Sequence, residues 1–120
     1  MSEYLFPFEK LDVWQLALSL AEYVLNLLEK LNQNKHMRLI SQMEAAATSP
    51  AQNIQFLHIA QGSVFEVVTL NEIYRRRKLF SEEEANEVRK RCEQIDRKLN
   101  GLINSLRGEK LERSGGKLNA

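Results

Sequence analysis

Cysteine occurs once in this chain, at Cys92, and histidine twice, at His36 and His58. A lone cysteine excludes an intrachain disulfide, and no cysteine, histidine or carboxylate set stands at metal-ligand spacing. Proline is confined to Pro7 and Pro50, and three of the five glycines (Gly108, Gly115, Gly116) fall in the last thirteen residues. So few breakers over the body of the chain favour long helices. No apolar run is long enough to cross a bilayer, and MSEYLFPFEK lacks the basic-then-apolar order of a secretory signal. A reducing, cytoplasmic setting is the expectation. Neither a Gly-rich phosphate loop nor a nucleophile elbow is present. Neither histidine lies three after a glutamate, which argues against the Glu-x-x-His pairs of a di-metal bundle site. The expectation is a protein with no cofactor, no metal and no enzymatic role.

What the chain does have is a balance typical of a folded domain: 43% apolar and 28% charged residues over 120 positions, enough for one core. A net charge of +1 hides an asymmetry. Residues 1–74 hold four Lys/Arg against eight Asp/Glu, or −4, whereas residues 75–120 hold thirteen against eight, or +5. One end of the domain is therefore expected to face an anion, unless the cations simply solvate long helices.

The apolar periodicity predicts four helices. The first covers Val13–Leu31, with Asp12 as N-cap and Gln15 closing a capping box. Val13, Ala17, Leu20, Val24, Leu27 and Leu31 form one stripe, and Trp14, Leu18, Ala21, Leu25 and Leu28 form a second beside it. The second helix spans Lys35 to about Thr48, with Leu39, Ile40, Met43, Ala46 and Ala47 inward. Ser49-Pro50-Ala51-Gln52 reads as a restart, with Ser49 as N-cap and Pro50 at the first helical position. One helix kinked at Pro50 is the alternative. The third helix then covers Pro50–Arg77 and is apolar on two sides, with Phe56 and Ile59 beyond what one core needs. Gly62 in its middle points to a close helix approach. Ser81 and Glu84 form a capping box for the fourth helix, whose single stripe runs through Ala85, Val88, Cys92, Ile95, Leu99, Leu102 and Leu106. The stripe position of Cys92 predicts burial and inertness.

Arg75-Arg76-Arg77-Lys78 is the sharpest functional signal. Four consecutive cations point in several directions around a helix end, and phosphates would neutralise them by counterion release. Lys90, Arg91, Arg97 and Lys98, spaced by seven on the fourth helix, extend the patch, with Arg89 and Arg107 at its margins. The competing reading is electrostatic only: cations at a helix C-terminus complement its dipole, and Glu82–Glu84 can pair with them. No base-reading element is evident, so backbone or shape recognition fits better than sequence readout.

The blocks FEKLDVWQLA (Phe8–Ala17), LISQMEAAATSPAQNI (Leu39–Ile54) and FLHIAQGSVFEV (Phe56–Val67) resemble the bacterial four-helix-bundle proteins called 23S rRNA intervening-sequence proteins, relatives of the accessory variability determinants of diversity-generating retroelements. The resemblance covers Phe8 to Leu106. It implies an antiparallel bundle assembled as a homo-oligomer, often a ring of five, with no enzymatic activity. For retroelement members it implies nucleic acid and a reverse transcriptase as partners. One departure stands out: the Gly/Arg/Ser/Lys-rich loop that usually precedes the third helix in the family is missing here between Ile54 and Phe56.

The combined reading is an all-α, antiparallel up-down-up-down four-helix bundle over residues 1–107 with a polar, disordered tail over 108–120. Its nucleic-acid-binding candidates are Arg75, Arg76, Arg77, Lys78, Lys90, Arg91, Arg97 and Lys98. Its oligomer-interface candidates are Phe6, Phe8, Trp14, Leu18, Leu25, Phe56 and Ile59. The rival reading is a protein-binding scaffold with solvated cations and no nucleic-acid role.

Overall fold

The computed structural model describes residues 4–118, with side chains described through Glu109. A short 3₁₀ turn, Pro7–Lys10, leads into four helices: α1 (Asp12–Glu29), α2 (Met37–Gln52), α3 (Leu57–Arg76) and α4 (Glu82–Leu118). Helices consecutive in the chain pack side by side, and α4 closes the square against α1, while the diagonal pairs do not meet. Cross-helix bonds set α4 antiparallel to α1, α3 antiparallel to α2 and α4 antiparallel to α3, which leaves α1 and α2 antiparallel as well. Lys98 bonds Asp12 and Arg91 bonds Ser19 across α1 and α4. Ser49 meets Ser63 across α2 and α3, and Gln61 meets Asp96 across α3 and α4. The protein is an all-α, up-down-up-down four-helix bundle.

One core runs its length, with Leu20, Val24, Met43, Val64, Val67, Val88, Ile95 and Leu99 all but sealed from solvent. Each such side chain contributes roughly 1.5–3 kcal/mol of burial. The α4 stripe is buried from Ala85 through Leu99, half-buried at Leu102 and exposed at Leu106. Its backbone stays helical to Leu118, through the segment read as a polar tail. Ser81 caps α4 as its sequence indicates: the Glu84 amide donates to Ser81 Oγ at 3.0 Å and the Ser81 amide donates to Glu84 Oε1 at 2.8 Å.

Three local expectations are corrected. The chain does not restart at Ser49. The second helix continues through Pro50, which is buried, and the break falls at Asn53–Phe56. Proline is tolerated there because it removes one amide donor from the last turn only, and Asn53 Nδ2 donates to the Ser49 carbonyl at 3.0 Å, closing the terminus. Asp12 is not an N-cap: that position is Leu11, without a side-chain cap bond. Asp12 instead lies in the first turn, where its charge still suits the dipole, and accepts from Lys98. Gly62 makes no close helix approach, since a Cβ built there meets nothing within 4 Å.

The second stripe of α1 is also largely absorbed by the fold. Ala21 and Leu28 are buried, and Trp14, Leu18 and Leu25 are half-buried, with Trp14 and Leu25 packed against the core.

Candidate nucleic-acid interface

In a bundle of this topology the α1–α2 and α3–α4 turns share one end. The cationic run closes α3 at that end. Arg77 is the C-cap, and Lys78 takes the left-handed conformation at φ 60°. The Leu79 amide donates to the Tyr74 carbonyl at 2.9 Å and the Lys78 amide to the Arg75 carbonyl at 3.1 Å, the paired bonds of a Schellman turn. That turn usually carries glycine. A lysine there accepts a backbone cost of about 1 kcal/mol and in return projects a cation from the end of the bundle.

The structure divides the four cations into two kinds. Arg75 is held by acids: Nε and Nη2 grip both oxygens of Glu72 at 2.9 and 2.6 Å, and Nη1 reaches Glu82 at 2.9 Å. Arg76 Nε adds a contact of 2.9 Å to Glu72. These bonds, from Arg75 first and then Arg76, hold the Glu72 carboxyl at about 2 and push the Arg75 guanidinium further up. Arg77 and Lys78 are exposed and form no side-chain hydrogen bond or ion pair among the described residues. They are the two cations of the run without an acid partner, while Arg76, bonded only through Nε, stays largely exposed.

The fourth-helix cations divide the same way. Arg91 is structural: its Nε pairs with Glu87 at 2.8 Å, its Nη1 donates to Ser19 Oγ, and its guanidinium carbon lies 4.7 Å from the centre of the Tyr23 ring. Lys98 Nζ sits 2.7 Å from Asp12 Oδ2, lowering that carboxyl below its ordinary value. Arg97 pairs with Glu93 at 2.6 Å yet stays largely exposed. Lys90 is exposed and unpaired among the described residues, as is Arg89 at the margin. Lys98 lies roughly 24 Å along α4 from Glu82 at 1.5 Å per residue, so the eight candidates do not form one patch. Arg75–Lys78 occupy the turn end, and Arg97 and Lys98 lie towards the other.

Residues outside the cationic run join it at the turn end. The Tyr74 hydroxyl bonds the Leu39 carbonyl, which brings the start of α2 beside the end of α3. Lys35 and Arg38 flank that contact in sequence, both exposed and without a side-chain partner among the described residues. Lys30, nearby on the α1–α2 turn, lies 3.9 Å from Glu84 and is mostly exposed. Topological parity could have found them: in an up-down-up-down bundle, alternate turns meet at one end.

The interface candidates separate as well. Phe6, Phe56 and Ile59 are more than half exposed, whereas Phe8 is half-buried against Trp14 at 5.5 Å between ring centres. Phe65 and Ile73 on α3 are further exposed apolar residues. Of the remaining chemistry, His36 is the half-buried N-cap of α2 and His58 is exposed. Burial drives the Cys92 thiol up to about 12, against a smaller opposing pull from Arg89. Among the described residues no group of acids, histidines or cysteines is placed to hold a metal ion, and no helix is long and apolar enough to cross a membrane.

Among known families, the model described as 23S rRNA-intervening sequence protein matches residues 9–101 of the chain. No curated protein matches the chain.

Proposed function

Because the chain belongs to the family of 23S rRNA-intervening sequence proteins, we propose that it is a non-enzymatic, homo-oligomeric bundle, acting in the cytoplasm, that binds the phosphate backbone of structured RNA or DNA through its cationic turn end. The family description makes RNA the first candidate. A ring of five and a protein partner such as a reverse transcriptase follow from the resemblance alone.

One observation carries the nucleic-acid reading: Arg77 and Lys78 stand unpaired among the described residues on a turn whose backbone favours glycine, at the end shared with Lys35 and Arg38. A cation retained at a position of backbone cost, with its two helical neighbours neutralised by Glu72 and Glu82, is a cation available for phosphate. The homo-oligomeric half rests on exposed Phe56, Ile59, Phe65 and Ile73, large apolar side chains that water does not favour.

The test is a salt titration of structured RNA and duplex DNA against the native chain and Arg77→Ala/Lys78→Ala. Loss of two phosphate contacts lowers the slope of log K against log salt by about 1.4–1.8. Binding that ignores salt and is shared by the variant supports the scaffold reading instead, in which exposed apolar faces recruit a protein.

A further inference from the structure

We propose that the cleft between the start of α3 and residues 103–107 of α4 holds one unpaired nucleotide of a nucleic-acid strand. The choice of a nucleotide among amphipathic anions rests on the nucleic-acid reading above, but the cleft itself lies apart from the cationic turn.

The cleft has a volume of about 300 Å³. Gln55, just ahead of α3, lines it with Leu57 and His58 from the first turn of that helix, and α4 adds Ile103, Leu106 and Arg107. Ile103 is buried, Leu57 is half-buried and Leu106 is 55% exposed, so the floor is apolar and partly open to water. Gln55, His58 and Arg107 are exposed and form no side-chain hydrogen bond or ion pair among the described residues.

Charge sets this cleft apart from its neighbours. Glu93 and Asp96 share a cleft with Arg89, Glu72 shares one with Arg76, and Asp12 shares one with Arg97 and Lys98. Those surfaces carry their own counter-charge. The lining at the far end holds a guanidinium and an imidazole and no carboxylate, so an anion is the group it lacks.

The side chains divide as a nucleotide does. Arg107 presents a planar fork of N–H donors that suits a phosphate, and an imidazole such as that of His58 keeps at least one N–H donor in either charge state. Leu57, Ile103 and Leu106 offer an apolar bed for one face of a base. Gln55 brings both a donor and an acceptor, the equipment for a base edge. An acid with a plain hydrocarbon body would leave that amide unused. A duplex keeps its bases stacked and its edges paired, so only an unpaired nucleotide can lay a base on this floor. The volume is at the small end for a ligand site and suits one nucleotide rather than a run of them.

Topology builds the cleft from residues far apart in sequence. Gln61 bonds Asp96 and Asn100 one turn above it, and the antiparallel course of α4 then carries Arg107 to the start of α3. Arg107 lies roughly 38 Å along α4 from Glu82 at 1.5 Å per residue. A strand in the cleft therefore engages the opposite end of the bundle from Arg77 and Lys78, and the two sites can be tested separately.

The test follows the backbone amide signals of the isotope-labelled full-length chain during titration with single-stranded oligoadenylate, AMP, benzoate and blunt-ended duplex RNA. Oligoadenylate and AMP should both move the amides of residues 55–58 and 103–107, with oligoadenylate binding at least as tightly. His58→Ala and Arg107→Ala change exposed side chains, and circular dichroism checks their fold. Each should weaken both ligands at the cleft about tenfold, whereas Arg77→Ala/Lys78→Ala should leave AMP affinity there unchanged. No cleft response to either ligand, or full affinity in both single variants, overturns the site and leaves the cationic turn untouched. Benzoate binding as tightly as AMP, or a blunt duplex moving the same amides, overturns the unpaired nucleotide. AMP binding at least tenfold tighter than oligoadenylate assigns the cleft to a free nucleotide and overturns the strand. Cleft binding that persists while Arg77→Ala/Lys78→Ala keeps the native salt slope upholds the cleft and removes the cationic turn instead.

Discussion

The hydroxyl of Tyr74 donates to the carbonyl of Leu39 across 2.7 Å, tying the last turns of α3 to the first turn of α2 directly beneath the cationic turn. The ring is fully buried and lies 4.7 Å from Phe80. Desolvation, with Glu44 as a lesser contributor, drives the phenol up to about 12. Tyr74→Phe keeps the packing and removes one hydrogen bond, so it should lower stability by about 1 kcal/mol, whereas Tyr74→Ala should cost roughly 3–5 kcal/mol through the cavity it opens. Urea denaturation measures both. Equal costs for the two variants would mean that the ring contributes nothing beyond its hydroxyl.

Lys78 sets stability against charge. Its left-handed backbone is one that glycine adopts freely, so Lys78→Gly should raise the unfolding free energy by up to about 1 kcal/mol. The same change removes an exposed cation from the turn end. If that end binds phosphate, the variant is more stable and binds RNA less tightly, a combination read by pairing thermal melts with salt titrations. Unaltered RNA affinity would take Lys78 out of the interface.

Arg91 should behave in the opposite way to Arg77. It bonds Glu87 and Ser19 and lies over the Tyr23 ring. Arg91→Ala leaves those partners without their cation and should cost about 1–2 kcal/mol. RNA affinity should hold once folded protein is compared with folded protein. Arg77→Ala should leave the unfolding free energy within the range usual for a surface change, about 0.5 kcal/mol, while weakening RNA binding. Loss of RNA binding in folded Arg91→Ala would restore this residue to the site.

Glu72 is a source of acid sensitivity. Its carboxyl is held at about 2 by Arg75 and then Arg76, against an ordinary value of 4.5. A depressed folded-state value means that its contribution is present above pH 4.5 and is lost as pH falls towards 2. Glu72→Gln should therefore flatten the acid limb of the melting curve over that window and leave Arg75 and Arg76 freer for an anion. A melting temperature that falls between pH 4.5 and 2 as steeply in the variant as in the native chain would assign the sensitivity to other carboxylates.

Some local signals survived the passage from sequence to fold, while others just as local, such as the Asp12 cap, did not. The Ser81–Glu84 box and the Val13-to-Leu27 stripe depend on residues three or four apart, so their patterns suffice to place them. Ser49-Pro50-Ala51-Gln52 carries the same letters as a helix start, but the alanine-rich face of α2 packs onward and buries Pro50, which overrides the local motif. The candidate site suffered more. Whether a cation is free depends on its tertiary neighbour, and Asp12 and Ser19 claim Lys98 and Arg91 from a helix some eighty positions away. Lys35 and Arg38 join the cationic end only once alternate turns are known to meet.

Asn71 gives the last prediction. It is buried, donates from Nδ2 to the Ala85 carbonyl at 2.9 Å, and leaves its own Oδ1 without a partner. A buried acceptor with no donor costs about 1–3 kcal/mol, close to what the single hydrogen bond returns. Asn71→Leu removes both and should shift stability by less than about 1 kcal/mol, or raise it. Asn71→Asp places a carboxylate against a carbonyl in a dry interior and should cost at least about 3 kcal/mol at neutral pH. In that variant the folded-state value is raised above the unfolded one, so the protonated form is favoured and can donate to Ala85. Its deficit relative to the native chain should therefore shrink as pH falls towards 4 and widen above it. Denaturant titrations of all three chains at pH 4 and pH 7 decide this, and a deficit independent of pH would mean that the carboxylate reaches water.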